Sequence, residues 1–450
     1  MKKLLLAFIG SLSVLSHASA QKAKYVVLVT IDGFRPDFYL DQQWPAVNLQ
    51  QLKSKGVSAL GVDPIFPSVT YPNHTTIITG VHAAKHGVYY NDLFAPESDG
   101  KVRWYWNYDS IKVPTVFDAV KKGGGHTAAV IWPVCVGAKS IDYNVPDVWD
   151  VDGGSDRRAA TAATAKPAGL FEELEQNATG KLTAQDFNMD KDYLSMDDDL
   201  AKMAGYIIRK HKPEFIAVHL PVADHMQHIE GRDGPVVRRA VASADHAIGV
   251  LLEAIDKAGI KDSTAILITG DHGFVTINTA FSPNVLLKKA GLLDDAKTGK
   301  WKAMFHAGGG GAFLRLKDPN DKATLDKVNY ILNALPEDQR KMFRILNKAA
   351  LEAAGADPNA ALALAATPGI TIRGAVTGEV TKATKGGTHG YFPDFKEIQT
   401  GFVAYGAGIS KSDKLIEQMS LTDIAPIIVK LLGLELKGME GKVPAGLLID

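Results

Sequence analysis

The hydrophobic pattern of the chain alternates between short, continuous apolar runs and longer amphipathic stretches. The continuous runs are typical of strands that are buried on both faces, and they lie at 25–31, 127–132, 215–220, 264–269 and 401–405. Helical patterns come between them, at 116–122, at 235–258 and in a closing helix that ends near residue 432. Strands that alternate with helices form parallel sheets. We therefore predict an α/β fold with a central, mostly parallel sheet flanked by helices.

Two stretches lose this rhythm and are predicted to be insertions, near 150–200 and 281–369. The first is rich in Gly, Ala and Asp, and the second contains the glycine run 308–311. That run lacks the Lys-Ser/Thr pair of a phosphate-binding loop, so we expect close backbone packing there. No repeats or low-complexity linkers are visible. The simplest prediction is one domain over residues 21–450 that carries both insertions.

The N-terminus has the pattern of a secretory signal peptide. Lys2 and Lys3 precede an apolar run at 4–14, and the small residues 18–20 form a cleavage site before Gln21. We therefore predict a signal peptide at 1–20 and an exported protein. Cys135 is the only cysteine, which excludes an intramolecular disulfide. A domain of this size folds without disulfides, so the expected destination is a bacterial periplasm or secretion.

Composition and charge narrow the classes of partner. The chain has 450 residues, 46% of them hydrophobic and 22% charged, as in ordinary globular proteins. Removal of a signal peptide with two lysines and no acidic residue would change the formal net charge from 0 to −2. This balance gives no reason to expect a nucleic-acid polymer as partner. No stretch after the signal is long and apolar enough to span a bilayer.

A threonine stands where a helix is predicted to begin. Thr70 suits the N-cap position, Pro72 suits the first turn, and Gly80 ends the segment. The unpaired backbone N–H groups and the dipole at such a helix start favour a phosphoryl group. An ordinary helix cap would use the same residues, so this stretch alone leaves both interpretations open.

Acidic and histidine side chains recur in predicted loops that follow strands. Carboxylate oxygens and imidazole nitrogens suit Zn²⁺ or a similar transition ion, and a catalytic zinc site uses about three protein ligands. Six such residues together with Thr70 are enough for two adjacent ions. The six are Asp32, Asp224, His228, Asp271, His272 and His389.

Several short motifs now make a specific resemblance. They appear in order from the first predicted strand to the last helix, and together they resemble the alkaline phosphatase superfamily, most closely its nucleotide pyrophosphatase/phosphodiesterase branch. The motifs are Val29-Thr30-Ile31-Asp32-Gly33-Phe34-Arg35, Thr70-Tyr71-Pro72-Asn73-His74, Asp224 to His228, Gly270-Asp271-His272-Gly273, Gly387-Thr388-His389-Gly390 and Thr422-Asp423-Ile424-Ala425-Pro426.

The resemblance implies a three-layer alkaline-phosphatase-like fold and a two-zinc site. One zinc would be held by Asp224, His228 and His389. The other would be held by Asp32, Asp271 and His272, with Thr70 as an oxygen ligand. Other divalent transition metals would also suit these ligands.

In this family Thr70 would be the nucleophile and Asn91 would steady a phosphoryl oxygen. A cation lowers the pKa of a bound oxygen acid, which makes a threonine hydroxyl competent to attack phosphorus. The expected product of that attack is a phosphothreonine-type intermediate, which water then hydrolyses. Tyr71 matches an aromatic residue that packs on part of the substrate, such as a nucleobase; a buried core tyrosine is the alternative.

The expected substrate is a small phosphodiester or nucleotide with a phosphoanhydride bond. Arg35 is the only arginine near a motif and has no evident role at a phosphate, which argues against a dianionic monoester. Trp132, Tyr143 and Trp149 lie in the region where a second stacking aromatic is expected, but none aligns well, so a lipid-derived or choline-type diester stays open.

Four alternative functions fit the sequence less well than a phosphodiesterase. A sulfatase is disfavoured because Cys135 lacks the surrounding motif and is better explained as a core residue. A phosphate monoesterase and a phosphonate hydrolase of the same superfamily are the enzymatic alternatives. A catalytically silent periplasmic binding module is the non-enzymatic one, although every expected site residue is present. The sequence does not decide between monomer and dimer.

Overall fold

The computed structural model describes residues 22–97, 102–150, 157–187, 194–411 and 413–449. The predicted signal peptide, residues 1–20, lies outside them. The strands are β1 (Tyr25–Ile31), β2 (Val57–Ala59), β3 (Thr127–Trp132), β4 (Tyr143–Pro146), β5 (Phe215–Leu220), β6 (Thr264–Thr269), β7 (Val275–Thr276), β8 (Thr279–Phe281), β9 (Leu293–Asp295), β10 (Lys300–Trp301), β11 (Ala303–Gly308), β12 (Gly311–Leu316), β13 (Phe343–Leu346), β14 (Leu362–Ala366), β15 (Ile370–Ile372), β16 (Thr381–Ala383), β17 (Gly387–Thr388), β18 (Phe402–Gly406) and β19 (Lys414–Ile416).

The helices are α1 (Asp37–Leu40), α2 (Val47–Lys55), α3 (Thr70–Thr79), α4 (Ala83–His86), α5 (Val116–Lys122), α6 (Arg157–Thr164), α7 (Leu170–Leu174), α8 (Leu194–His211), α9 (Val222–Glu230), α10 (Pro235–Lys257), α11 (Pro283–Lys289), α12 (Lys322–Asn333), α13 (Glu337–Arg340), α14 (Lys348–Ala353) and α15 (Ile424–Leu432). Within the described ranges, no helix combines the length and the apolar composition that crossing a bilayer requires.

The central sheet is mostly parallel, which confirms the predicted fold class. Its eight strands run in the order β19-β2-β18-β6-β1-β5-β3-β4. Only β18 runs antiparallel to both of its neighbours, β2 and β6. In the middle, β1 pairs in parallel with β5 on one side and with β6 on the other. The carboxyl ends of these three strands therefore meet at one edge of the sheet.

Helices cover both faces of this sheet, which explains why its strands are apolar throughout. Alternate residues of β1 point to opposite faces: Val27 and Val29 join one hydrophobic cluster, and Val26 and Leu28 join another. The first cluster includes side chains of α2, α8, α9 and α10, and the second includes side chains of α3, α5 and α15. The result is three layers with two cores.

Most of the stretch predicted as the second insertion folds around a smaller sheet. Strands β11, β12, β14 and β13 form a four-stranded antiparallel sheet, in that order. It has a hydrophobic cluster of its own, to which α11 and α12 contribute Leu287, Val328 and Leu332. Helices α6 and α7 and the start of α8 lie in the first predicted insertion. The division into one domain with two insertions stays a prediction.

Candidate active site

The middle of the central sheet brings five of the predicted ligands to one edge. Asp32 follows β1 directly, and Asp271 and His272 follow β6 after one glycine. Strand β5 leads into α9, which carries Asp224 and His228 one helical turn apart. The prediction that these two residues lie in a loop is wrong, because Pro221 ends β5 and acts as the N-cap of a helix. The i, i+4 spacing places both side chains on one helix face.

His389 reaches the same edge of the sheet from a different segment of the chain. It follows β17, and its backbone carbonyl accepts a hydrogen bond from the N–H of Gly310 across 2.7 Å. A Cβ atom on Gly309 would collide with that carbonyl, and one on Gly310 would collide with the ring of Tyr391. The glycine run thus serves close backbone packing, as predicted, and it positions His389.

The predicted ligands form two overlapping groups. The ligand atoms of Asp224, His228 and His389 all lie within 4.8 Å of one another, and so do those of Asp32, Asp224 and His272. Asp224 belongs to both groups, so the two candidate metal positions are adjacent. Oδ2 of Asp271 lies 3.1 Å from Nε2 of His272, which places the sixth residue at the second group.

Each of the three histidines is oriented by a backbone carbonyl. A carbonyl oxygen only accepts hydrogen bonds, so the Nδ1 atom that contacts it carries the proton and Nε2 keeps a free lone pair for a metal. Burial also lowers the pKa of His389, to about 3, which keeps this ring neutral as a ligand must be. The three pairs, each at 3.0 Å, are His228 with Gly387, His272 with Gly273 and His389 with Ser68.

Several polar atoms at this edge are buried without a hydrogen-bond partner. Among the described residues they include Oδ1 of Asp32, Oδ1 of Asp224, Oδ2 of Asp271 and Nε2 of His272. Unpaired buried groups of this kind destabilise a fold. Burial, together with the repulsion from neighbouring carboxylates, raises the pKa of each of the three carboxyl groups well above its usual range. A divalent cation would satisfy all of these atoms, so the residues fit a transition-metal site.

Thr70 lines the cavity beside these groups, but it is not a helix cap. It is the first residue of α3, and Val69 holds the N-cap position in an extended conformation. The predicted N-cap role is therefore wrong, because the helix begins one residue earlier than expected and Thr70 is already its first residue. The predicted end at Gly80 is confirmed, where the glycine adopts a left-handed conformation with φ of 70°.

Asn91 lies against the start of the same helix. Its Oδ1 atom accepts a hydrogen bond from the backbone N–H of Tyr71 across 2.8 Å. One of the N–H groups expected to meet a phosphoryl group is thus used by Asn91. The same contact orients the Asn91 amide. Asn91 and Thr70 line one cavity, which has a volume of about 160 Å³.

Aromatic and acidic residues form another wall of this cavity. Tyr71 is only 2% exposed, and its hydroxyl donates a hydrogen bond to Asp147 across 2.8 Å. Trp104 and Trp149 also line the cavity. Of the three candidates for the second stacking aromatic, only Trp149 lines the cavity. Trp132 is buried against the ring of His74, and Tyr143 stacks on His211.

The arginine at the site is not the one considered in the sequence. Arg35 is buried and forms ion pairs with Asp37 and Asp233. Arg157, the first residue of α6, lines the cavity instead. The view that no arginine is available to the site is therefore wrong. Arg157 lies more than eighty residues from the Thr70 motif, and local spacing cannot bring the two together.

His219 is a cavity-lining residue that the sequence analysis did not single out. It lies in β5, with Nε2 at 3.4 Å from Oδ2 of Asp32. On its other side, Nδ1 lies 3.0 Å from Nε2 of His74 and 3.1 Å from the hydroxyl of Thr30. His74 in turn contacts the backbone carbonyl of Thr70 through Nδ1, at 2.8 Å. A buried polar chain thus connects the start of α3 with Asp32.

Comparison with known proteins agrees with this geometry. The sequence profile of the family described as "Type I phosphodiesterase / nucleotide pyrophosphatase" matches residues 26–392. The chain belongs to this family. The predicted superfamily and branch are thereby confirmed, whereas the bacterial source and the export of the chain stay predictions.

Members of the family with curated descriptions are distant in sequence. An uncharacterized pyrophosphatase/phosphodiesterase of Schizosaccharomyces pombe is 27% identical over 248 residues, or 55% of this chain and 44% of that protein. Human ectonucleotide pyrophosphatase/phosphodiesterase family member 5 is 26% identical over 279 residues, or 60% of this chain and 50% of that protein. The chain spans about half the length of these curated relatives.

Solved structures of the family share the fold. Human ectonucleotide pyrophosphatase/phosphodiesterase 5 superposes with a TM-score of 0.67 at 20% identity, covering 93% of this chain and 97% of the other. An inactive variant of the murine protein, solved in complex with AMP, also has a TM-score of 0.67 at 20% identity, and covers 94% of this chain and 97% of the other.

Proposed function

We propose that this chain is a metal-dependent hydrolase of phosphodiester or phosphoanhydride bonds, with Thr70 as its nucleophile. One observation carries the proposal. Thr70, Asn91 and the predicted metal ligands Asp32, Asp224, His228 and His389 line a single cavity, with Asp271 and His272 directly behind Asp32. The descriptions of the family and of its curated members support the same reaction class.

The donor set suits two Zn²⁺ ions. Asp224, His228 and His389 would hold one ion, and Asp32, Asp271 and His272 would hold the other, with Thr70 as a further oxygen ligand. Support comes from the two overlapping groups, the three oriented imidazoles and the unpaired carboxylate oxygens. When bound, such ions supply Lewis acidity: they lower the pKa of an oxygen acid and offset charge on phosphoryl oxygens.

The side chains around the cavity have separate tasks in this mechanism. The Thr70 hydroxyl loses its proton to solvent as its oxygen attacks phosphorus. The bond from phosphorus to the leaving oxygen breaks, that oxygen keeps the electron pair, and Thr70 carries the phosphoryl group as an ester. Water then attacks that ester and restores the hydroxyl. The Asn91 amide donates a hydrogen bond to a non-bridging phosphoryl oxygen, which is possible because Tyr71 occupies its carbonyl oxygen.

The substrate we propose is a small nucleotide or another phosphodiester with an aromatic substituent. The aromatic wall formed by Tyr71, Trp104 and Trp149 supports this choice. Because Tyr71 is only 2% exposed, the two half-buried tryptophans offer the larger surface to a substrate. Because Arg157 lines the cavity, the lack of an arginine cannot be used as an argument for diesters. The family and the aromatic wall support the preference for diesters instead.

A comparison of three esters tests the proposal. The purified protein, supplied with zinc, would be assayed on bis-p-nitrophenyl phosphate, p-nitrophenyl thymidine 5′-monophosphate and p-nitrophenyl phosphate. We expect the two diesters to be hydrolysed faster than the monoester, and the thymidine ester fastest. Thr70→Ala should abolish all turnover, because the variant lacks the hydroxyl that is proposed to attack phosphorus.

Thr79→Ala is the matched control. Thr79 ends the same helix, and its hydroxyl only bonds back to the carbonyl of Thr75. The Thr79→Ala variant should therefore retain full activity. Faster turnover of the monoester would replace the proposed substrate class with a monoesterase. Activity that survives in Thr70→Ala would refute the nucleophile, and a folded, zinc-loaded protein without any turnover would favour a silent binding module.

A further inference from the structure

Arg157 is a charged residue at the cavity for which the proposed reaction has no task. It is the first residue of α6, and its guanidinium carbon lies 4.2 Å from the centre of the Trp149 ring. At this distance the cation is attracted by the electrons of the indole face. Trp149 thus holds the arginine at the cavity wall.

The aromatic residues between Thr70 and Arg157 form a continuous row. Tyr71 directly follows Thr70, and its ring centre lies 5.3 Å from that of Trp104 at an angle of 58°. Trp104 lies 4.7 Å from Trp149 at 64°. Because neither pair stacks face to face, the rings do not cover one another completely. A planar group of a substrate could pack along this row.

Arg157 does not form a direct ion pair with Asp147, the acid on the same wall. Within the described part of the chain, no salt bridge joins Asp147 to Arg157, and Asp147 instead accepts the hydroxyl hydrogen of Tyr71. Burial raises the pKa of Asp147, and the positive charge of Arg157 opposes that rise. The row therefore has a nucleophile at one end and a cation at the other.

We infer that Arg157 recognises a second phosphate of the substrate, carried by the nucleoside whose base packs along the aromatic row. The preferred substrates would be diesters of nucleosides that carry another phosphate, such as a 3′-phosphate, over diesters of neutral nucleosides. This inference rests on the proposed function and names the substrate class of the same site. A guanidinium suits the task, because its planar set of N–H donors matches phosphate oxygens in pairs.

Arg157 contacts a different part of the cavity wall from the residues proposed to act on the reacting phosphate. Thr70 and Asn91 lie at the start of α3. Arg157 contacts the ring of Trp149, which is the last ring of the row: Tyr71, beside Thr70, contacts Trp104, and Trp104 contacts Trp149. The second phosphate would therefore be bound while the first one reacts.

Two chromogenic esters test the inference directly. They are p-nitrophenyl thymidine 5′-monophosphate and the same ester with an added 3′-phosphate, which both release p-nitrophenolate. We expect kcat/KM of the wild-type protein to be higher for the 3′-phosphorylated ester. The ratio of the two kcat/KM values should fall about tenfold in Arg157→Gln, as expected for the loss of one charge-assisted contact.

Two further variants make the result specific. Arg157→Lys keeps the charge but loses the planar donors, so its ratio should lie between those of the wild type and Arg157→Gln. Arg239→Gln is the matched control, since Arg239 is exposed on α10 and is not among the described residues that line the cavity; its ratio should equal that of the wild type. Equal turnover of both esters by the wild type, or an unchanged ratio in Arg157→Gln, would overturn the inference.

A binding measurement makes the test independent of turnover. In Thr70→Ala, calorimetry should show that thymidine 3′,5′-bisphosphate binds about tenfold more tightly than thymidine 5′-monophosphate, and Arg157→Gln in that background should remove the difference. Equal binding of the two ligands would refute the role of Arg157 even if the proposed hydrolysis is correct. Conversely, the difference could persist in a protein that hydrolyses neither ester, which would refute only the proposed function.

Discussion

The backbone N–H of Tyr71 donates a hydrogen bond to Oδ1 of Asn91 across 2.8 Å, at the first turn of the helix that carries Thr70. A backbone N–H can only donate, so the contact fixes which end of the Asn91 amide faces Tyr71. The nitrogen end is left for the cavity. The backbone N–H of Tyr71 is therefore not available to a substrate, but the side-chain amide of Asn91 is held beside the helix start as a donor.

This relationship predicts an unusual order of two variants at position 91. Asn91→Ala removes the donor and should lower kcat for a diester by about 10² to 10³. Asn91→Asp keeps the acceptor for Tyr71, but it replaces the donor with a negative charge that repels a phosphoryl oxygen. It should therefore be slower than Asn91→Ala. Steady-state kinetics on p-nitrophenyl thymidine 5′-monophosphate checks the order; an aspartate variant more active than the alanine variant would contradict the role of Asn91.

His219 is predicted to position Asp32 for a metal ion. Its Nε2 atom lies 3.4 Å from Oδ2 of Asp32, and its other nitrogen is held by Thr30 and His74. Replacement by phenylalanine fills the space and removes both nitrogens. We expect His219→Phe to bind zinc about 10 to 100 times more weakly, as measured by zinc content after dialysis against graded concentrations of a chelator.

His86→Phe is the control for that experiment. His86 is also fully buried, but its contacts are with Thr76 and the backbone around it, away from the cavity. Both variants lose a buried imidazole, so both should be less stable than the wild type, but only His219→Phe should lose zinc at a lower chelator concentration. Equal zinc retention by the two variants would show that His219 has a purely structural role.

Asp197 should make the stability of the protein depend on pH. It is fully buried on α8, and burial raises its pKa to about 8. In the unfolded chain it ionises near its usual value of 3.8. Between these two values the native state holds a proton that the unfolded state has lost, so the free energy of unfolding falls as the pH rises and levels off above about 8.

Asp197→Asn removes this dependence and keeps an oxygen that can accept from the N–H of Val222, as Asp197 does. The free energy of unfolding of Asp197→Asn should equal that of the wild type at about pH 4 and exceed it by a few kcal/mol above about pH 8. Urea titrations across this range check the trend. Asp256→Asn, at an exposed position of α10, should show none. An advantage of Asp197→Asn that is the same at both ends of the range would contradict the raised pKa.

The sequence was sufficient to predict the parts of the site that are local to strand ends and helix starts. Asp32 was predictable because a mostly apolar run of seven residues ends immediately before it, and strand ends in parallel sheets are where ligands gather. The ordered motifs gave the family. Thr70 was predicted from its motif to be the nucleophile, and it lines the cavity, although the cap position assigned to it was one residue off.

The parts that could not be predicted depend on contacts between distant segments. Arg157 lines the same cavity as Thr70 only because α6 packs beside that cavity, and nothing in the spacing of the sequence encodes this arrangement. The carbonyl partners of the three histidines, such as Ser68 for His389, depend on backbone positions that only the folded chain defines. His219 did leave a signal: a histidine stands inside the apolar run of β5, where a polar residue needs a partner.

The central claim is that Thr70 carries the phosphoryl group between two displacements, and the stereochemistry at phosphorus tests it most directly. A single diastereomer of p-nitrophenyl thymidine 5′-phosphorothioate would be hydrolysed in ¹⁸O-labelled water, and the configuration of the labelled product determined. Each in-line displacement inverts phosphorus, so two displacements predict net retention. Net inversion would mean that water attacks the substrate directly, and it would contradict a covalent role for Thr70.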